Sequence, residues 1–207
     1  DRIPEPARPL PPGKTEHAND RGTRIHDAAE RFVRGGVELI PELKAFEAEF
    51  HDLRNKYEHG MCSLEGEWAI NKDWEPVAWG DRDAWARIKL DAFVRLSPTH
   101  AVVIDYKTGK KFGNEIKHAE QTQLYQLAAF LRYPELETID VELWYTDQDD
   151  LTHMKYTRSQ GMRFFQNFNQ RGIAMTSAEE FPPSPNVFAC KWCPYGPRGT
   201  GDCDKVV

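Results

Sequence analysis

The stretch Ala101-Val-Val-Ile-Asp-Tyr-Lys-Thr-Gly-Lys110 runs four apolar or small residues into an acid, an aromatic, a lysine and a glycine. It reads as a buried strand that carries charge at its exit. Side chains alternate across a strand, so Asp105 and Lys107 share a face with Val103, and Val102, Ile104 and Tyr106 share the other. The stretch before it, Trp85 to Leu96, alternates as well. Ile88, Leu90, Ala92, Val94 and Leu96 fall on one side, and Arg87, Lys89, Asp91 and Arg95 on the other, with Phe93 among them. Ser97-Pro-Thr99 between the two is a turn signal. Folding the hairpin about Pro98 pairs Val94 with Val102, Ala92 with Ile104, Leu90 with Tyr106 and Asp91 with Asp105. Cβ atoms of directly opposed residues lie roughly 4.5–5.5 Å apart. Two carboxylates so placed repel unless a cation lies between them, and a hard divalent ion such as Mg²⁺ or Mn²⁺ takes oxygen ligands. A slip of one residue would send the two acids to opposite faces, and the apolar match argues against it.

The elements that must position these groups follow from periodicity. Residues 1–20 hold Pro4, Pro6, Pro9, Pro11 and Pro12 and read as an extended arm, with Asn19 or Asp20 available to cap the next helix. Gly22 to Val33 reads as a helix with the apolar stripe Ile25, Ala28, Ala29 and Phe32, ended by Gly35-Gly36. His26 lies beside that stripe. Pro41 to about His59 reads as a second helix with Leu43, Phe46, Phe50, Leu53 and Tyr57 inward. Cys62 to Ile70 reads as a strand with Leu64, Trp68 and Ile70 on one side and Glu65 and Glu67 on the other. Residues 71–83 read as a loop. Thr108-Gly-Lys-Lys-Phe-Gly113 is a basic, glycine-containing loop, either a place for phosphates or a solvated turn. Lys117 to Arg132 reads as a helix in which Gln121 and Tyr125, four apart, share a face. Thr138 to Thr146 and Leu151 to Thr157 read as a strand hairpin, and Ser159 to Arg171 as a last helix. The tail from Phe181 is rich in Pro and Gly and holds Cys190, Cys193 and Cys203. Strands flanked by helices imply an α/β domain of two or three layers around a mixed sheet. The expected organisation is an arm (1–20), a core (21–175) and a Cys-containing tail packed on that core (176–207).

Composition bounds the partners. The chain has 207 residues, is 40% hydrophobic and 29% charged, and carries a formal net charge of −6, so any nucleic-acid surface must be a local basic face. No apolar run approaches the roughly 20 residues of a membrane span. The four cysteines, three of them near the C-terminus, suit a metal site or free thiols better than a disulfide scaffold, and a cytoplasmic setting is expected. The sequence begins at Asp1 without a methionine or a visible signal peptide, and reads as a fragment, a trimmed or a processed form.

Four separate pieces now stand in order: Gly22-x-x-x-His26, Asp91 in one strand, Asp105-x-Lys107 in the next, and Gln121-x-x-x-Tyr125 in the helix after it. Together they resemble the PD-(D/E)XK nuclease superfamily over about residues 22–132. More narrowly they resemble its RecB-type exonuclease branch, which includes nucleases of CRISPR adaptation and of phages. The resemblance implies a restriction-endonuclease-like core and a DNA exonuclease dependent on Mg²⁺ or Mn²⁺, working in recombination, repair or phage DNA processing beside a recombination or replication protein. It places the protein in a bacterial cell or a phage-infected host. An endonuclease of the same fold, or an inactive DNA- or protein-binding module, is the alternative.

The resemblance also implies roles. Asp91 and Asp105 would hold the metal, joined by His26 and the Tyr106 carbonyl, and Lys107 would act on the attacking water. Gln121 and Tyr125 would hold the DNA backbone or the lysine, and Arg87, Lys89 and Lys110 would meet phosphates. Of the two acids in the strand 62–70, Glu67 is the favoured outer partner because it is nearer the strand's apolar end. The cysteines resemble the branch whose nuclease domain is stapled by a [4Fe-4S] cluster. Cys190, Cys193 and Cys203 are one ligand short of the four that such a cluster or a structural zinc takes. The fourth could be Cys62, a histidine or a residue outside this chain, or the thiols could be free.

Overall fold

The structure is a computed structural model and describes residues 10, 13–36 and 38–205. The five prolines of the expected arm lie outside the described residues. Two compact units divide the chain: Arg21–Gly172 is one, and Ile173–Val207 with Asp1–Asp20 forms the other.

The larger unit is built on a six-stranded mixed sheet in the order β2-β1-β3-β4-β5-β6. The strands are β1 (Cys62–Ile70), β2 (Pro76–Val77), β3 (Ala86–Ser97), β4 (His100–Lys107), β5 (Thr138–Tyr145) and β6 (Asp150–Thr157). Only β4 and β5 run parallel, linked by α3 (Glu115–Arg132); the other pairs are antiparallel. The two-residue β2 lies inside what the sequence presents as a loop.

Helices cover both faces. α1 (Ala18–Val33) and α2 (Glu47–Glu58) bury Ile25, Ala29, Phe32, Phe50 and Leu53 against Leu64, Ala92, Val94, Val102, Ile104 and Tyr106. On the other face α3 buries Tyr125, Ala128, Ala129 and Phe130 against Trp68, Leu90, Phe93, Val103, Ile139 and Val141. Each helix is amphipathic, so the sheet between them is apolar on both sides.

The periodic stripes locate the helices well, and their ends differ in detail. α1 begins at Ala18, so Asn19 and Asp20 lie in its first turn rather than capping it. It stops where Gly35 takes φ +95 and the amides of Gly35 and Gly36 return to the carbonyls of Phe32 and Arg31. The second helix opens with a 3₁₀ segment, Pro41–Phe46. The last one is broken into α4 (Arg158–Gly161), a 3₁₀ turn (Met162–Phe164) and α5 (Phe165–Ser177). In the other unit, α6 (Val187–Trp192) carries Cys190. Among the described residues no helix is long and apolar enough to cross a membrane.

The hairpin register is the expected one from Val94–Val102 to Ala92–Ile104, but the ladder ends there. Beyond it β3 stays paired only with β1, out to Ala86–Ile70, and β4 only with β5, out to Lys107–Tyr145. The two central strands therefore fork. Alternation also breaks at this point. Ile88 and Leu90 lie on the α3 face while Ala92 and Val94 lie on the α1 face. Leu90 and Tyr106, expected to face each other, are on opposite sides of the sheet. The neighbouring strand shows the physical reason. Glu65, between the paired Leu64–Ala92 and Gly66–Leu90, has φ +51, a left-handed conformation that interrupts the pleat.

Candidate active site

The fork frees backbone groups, and Asp91 uses one of them. Its Oδ2 accepts a hydrogen bond from the Tyr106 amide at 2.6 Å, in place of a ladder bond. Its Oδ1 lies 2.8 Å from His26 Nδ1. α1 brings His26 there because Ile25, next to it, is buried under the helix, and the imidazole stands edge-on to the Tyr106 ring at 5.7 Å.

Asp105 is reached from the opposite face. It is 5% exposed, and its Oδ1 accepts from the Tyr125 hydroxyl at 2.8 Å and from Gln121 Nε2 at 3.5 Å. Gln121 also donates to the Tyr125 hydroxyl, and its Oε1 accepts from Lys107 Nζ at 2.5 Å. Lys107 Nζ stands 2.5 Å from Asp105 Oδ2 as an ion pair, yet no donor is aligned on that oxygen for a hydrogen bond. A buried carboxylate oxygen with only a lateral charge beside it is suited to a cation.

Electrostatics agrees with a site short of positive charge. Burial raises Asp91 above the ordinary carboxylate value, opposed by the His26 bond and reinforced by the charge of Asp105. Burial disfavours a charged His26, but the hydrogen bond and charge of Asp91, with Asp105 and Glu65 behind it, outweigh that and raise it. Burial, then the charge of Asp105, pushes Tyr125 well up, so it stays a hydroxyl donor.

Both His26 and Asp91 thus hold protons more tightly in the folded than in the unfolded chain. Stability linked to each is present below its unfolded pKa and lost as pH rises through its folded pKa. The metal-free protein is expected to lose stability, relative to Asp91→Asn, as pH rises from the ordinary carboxylate value of 3.8 to beyond the imidazole value of 6.5. Melting curves of the two proteins in EDTA across that range check this; a difference that stays flat or grows in favour of wild type refutes it.

The structure brings His26, Asp91, Asp105, Tyr106, Lys107, Gln121 and Tyr125 to the fork. It does not bring Glu67 or Arg87. Glu67 is exposed and pairs across the strands with Lys89. The acid beside Asp91 is Glu65, ion-paired with Lys89 and acting on His26 through its charge. Flipping of the pleat at Glu65 is what exchanges the two, and a sequence pattern built on strict alternation misses it. Arg87 spends its guanidinium on the carbonyls of Trp79 and Asp81 and stacks over Trp79, holding the 71–85 loop. Lys110 is exposed in the loop that follows β4.

A further histidine faces the site. His118 precedes Gln121 by three on α3, bonds Tyr145 at 2.8 Å through Nδ1, and is lowered by burial and then by the Lys107 charge. The spacing His118, Gln121, Tyr125 on one helix face is the signal that would have found it.

Two carboxylates, an imidazole and a peptide carbonyl make a hard, oxygen-rich donor set that fits Mg²⁺ or Mn²⁺. Among the described residues no three His, Cys, Asp or Glu side chains are already gathered as ligands. At the fork the carboxylate oxygens are already engaged, those of Asp91 by His26 and the Tyr106 amide and those of Asp105 by Tyr125 and Lys107. The tail thiols Cys190, Cys193 and Cys203 are half-exposed and unpaired. Cys62 does not suit the role of a fourth ligand. It lies in the core of the larger unit, and burial pushes its thiol up to about 12.

A six-stranded mixed sheet flanked by helices, with an Asp and an Asp-x-Lys at its central fork, defines a restriction-endonuclease-like α/β nuclease fold. A family model of the PD-(D/E)XK nuclease superfamily matches residues 1–198, and the chain belongs to that superfamily. By class it is a nuclease, a hydrolase. No curated protein matches it. Among solved structures it is similar to one described as the crystal structure of SSO0001, at 14% identity and a TM-score of 0.33, over 90% of this chain and 98% of that one.

Proposed function

We propose that this chain is a divalent-metal-dependent DNA exonuclease that hydrolyses phosphodiester bonds at the β3–β4 fork, in recombination, repair or phage DNA processing. The observation that carries the reading is Asp105 Oδ2, a buried oxygen 2.5 Å from Lys107 with no aligned donor, at the fork that Asp91 also reaches. Asp91, Asp105, His26 and the Tyr106 carbonyl would hold the cation. When bound, it supplies Lewis-acid polarisation of the phosphate and a water of lowered pKa. Lys107 orients the attacking water and stabilises charge developing on the phosphate. Gln121 fixes the Lys107 ammonium, and Tyr125 fixes the Asp105 carboxylate, so the chemistry rests on preorganised groups rather than on rotamers found at the moment of reaction. Glu65 rather than Glu67 takes the outer role, and Lys110 meets the DNA backbone. Cys190, Cys193 and Cys203 are three of the four ligands that a [4Fe-4S] cluster would need, and free thiols are the alternative.

End-labelled linear and covalently closed circular DNA, with Mg²⁺, Mn²⁺ or EDTA, test the reading. Metal-dependent loss of linear DNA with circles spared is expected. Cut circles make the enzyme an endonuclease of the same fold, and no cleavage under any metal sinks the catalytic assignment.

A further inference from the structure

Phe112 and Ile116 are 77% and 80% exposed, a few residues past Lys107 and just before Gln121. A phenyl and a butyl group left in water on one short segment after β4 forfeit burial energy that a bound partner would recover. The segment is not loose. Gly109 and Gly113 bracket it with φ +96 and +87. The Gly109 amide donates to Asp147 Oδ2 at 2.7 Å and the Lys111 amide to Gln148 Oε1 at 2.8 Å. Lys111 Nζ pairs with Asp150 Oδ2 at 2.6 Å, and Asn114 Nδ2 donates to the Lys110 carbonyl at 2.9 Å. Asp147 is itself gripped through both oxygens by Arg21, at 2.8 and 2.7 Å. The loop thus presents Phe112 outward from a tied backbone.

Charge identifies the occupant. Lys110 and Lys117 flank Phe112 and Ile116, are exposed, and form no ion pair among the described residues, while Lys111 is paired with Asp150 and the Glu115 carboxylate between the two apolar residues accepts from the Gly113 amide. Cationic side chains interleaved with an exposed aromatic match a nucleic-acid strand, whose phosphates take the ammonium groups and whose bases take the ring. An intact duplex hides its base faces inside the stack.

The geometry points to Phe112 as a stacking platform for an unpaired base of single-stranded DNA, which names the strand state of the substrate. This rests on the reading of the fork as a DNA phosphodiesterase site. Lys110 and Lys117 hold the flanking phosphates, and Ile116 supplies apolar contact beside the ring.

A single-stranded oligonucleotide carrying 2-aminopurine near its end tests it, with Ca²⁺ in place of Mg²⁺. Wild type is expected to quench the fluorophore by stacking. Phe112→Ala is expected to lose the quench and bind roughly tenfold more weakly, the weight of one base–aromatic stack. Phe112→Trp is expected to keep both, and binding of a blunt duplex to change little. Unchanged affinity in Phe112→Ala, or an equal loss on single strand and duplex, overturns the inference. Hydrolysis of the p-nitrophenyl ester of thymidine 5′-phosphate, which needs the fork but no stacked neighbour base, is read separately. It is expected to be the same in wild type and Phe112→Ala. Failure of wild type to cleave it would count against the catalytic reading alone, because the quench still decides the role of Phe112.

Discussion

Asp105→Asn and Lys107→Met are each expected to abolish DNA hydrolysis while leaving different marks on stability. Removing one preorganised group that stabilises developing charge lowers kcat on the order of 10²–10³-fold, so at least that loss is expected for Lys107→Met. Asp105→Asn, which removes a charge proposed to hold the metal, is expected to lose no less. Stability separates the two. Asn keeps the volume of Asp105, can still accept from the Tyr125 hydroxyl, and relieves the repulsion that helps to raise Asp91. It also leaves the Lys107 ammonium, 15% exposed, with Gln121 Oε1 but no counter-charge, so its melting temperature in EDTA is expected to fall, by less than that of Lys107→Met. Met at position 107 instead strands a carboxylate that is 5% exposed without its charge partner. Breaking a buried pair in this way costs about 3–5 kcal/mol, and Mg²⁺ is expected to restore part of it. Kinetics with labelled DNA and melting curves with and without Mg²⁺ check both halves. Wild-type hydrolysis by Asp105→Asn would remove the active site from the fork.

Arg158→Met is expected to destabilise the larger unit by about 3 kcal/mol, with activity per folded molecule unchanged. At the start of α4, the Arg158 guanidinium donates to the carbonyls of Leu136, Phe130 and Tyr133 at 2.8, 3.0 and 2.7 Å and lies over the Phe130 ring. These carbonyls belong to the end of α3 and the turn after it, where a helix lacks internal partners. Hydrogen bonds from a charged donor contribute about 1.5–3 kcal/mol each, and they are not additive when shared by one side chain. The helix so anchored carries Gln121 and Tyr125, but at its other end, which is why chemistry is spared. Arg158→Lys is expected to recover only part of the loss, because one ammonium cannot span three carbonyls. Urea denaturation of the three proteins measures this; equal midpoints would show that the carbonyls find other partners.

Much of the site was legible in the order of residues. β4 obeys strict alternation: Val103 and Asp105 face α3 while Val102, Ile104 and Tyr106 face α1. This holds because β4 is paired on both sides along its apolar length, and regular pairing enforces the pleat. The stripes of α1 and α3 likewise place His26, Gln121 and Tyr125, since a helix with one apolar face has one way to lie on a sheet. The hairpin register was readable for the same reason, from Val94–Val102 to Ala92–Ile104.

What tertiary structure decided is concentrated at the fork. Nothing in the hydrophobic pattern of β3 marks the loss of pairing after Ala92, nor the left-handed Glu65 in the strand beside it. Those two features turn Asp91 toward His26 and the Tyr106 amide, exchange Glu65 for Glu67, and part Leu90 from Tyr106. Alternation is a property of a continuous ladder; Glu65 at positive φ resets it in β1, and β3 changes face at the residue opposite, between Leu90 and Ala92. The sequence by itself therefore determined which elements carry the acids, the lysine and the histidine. Only the packing of three layers decided how those groups meet, because that depends on where a backbone ladder ends rather than on which side chains precede its end.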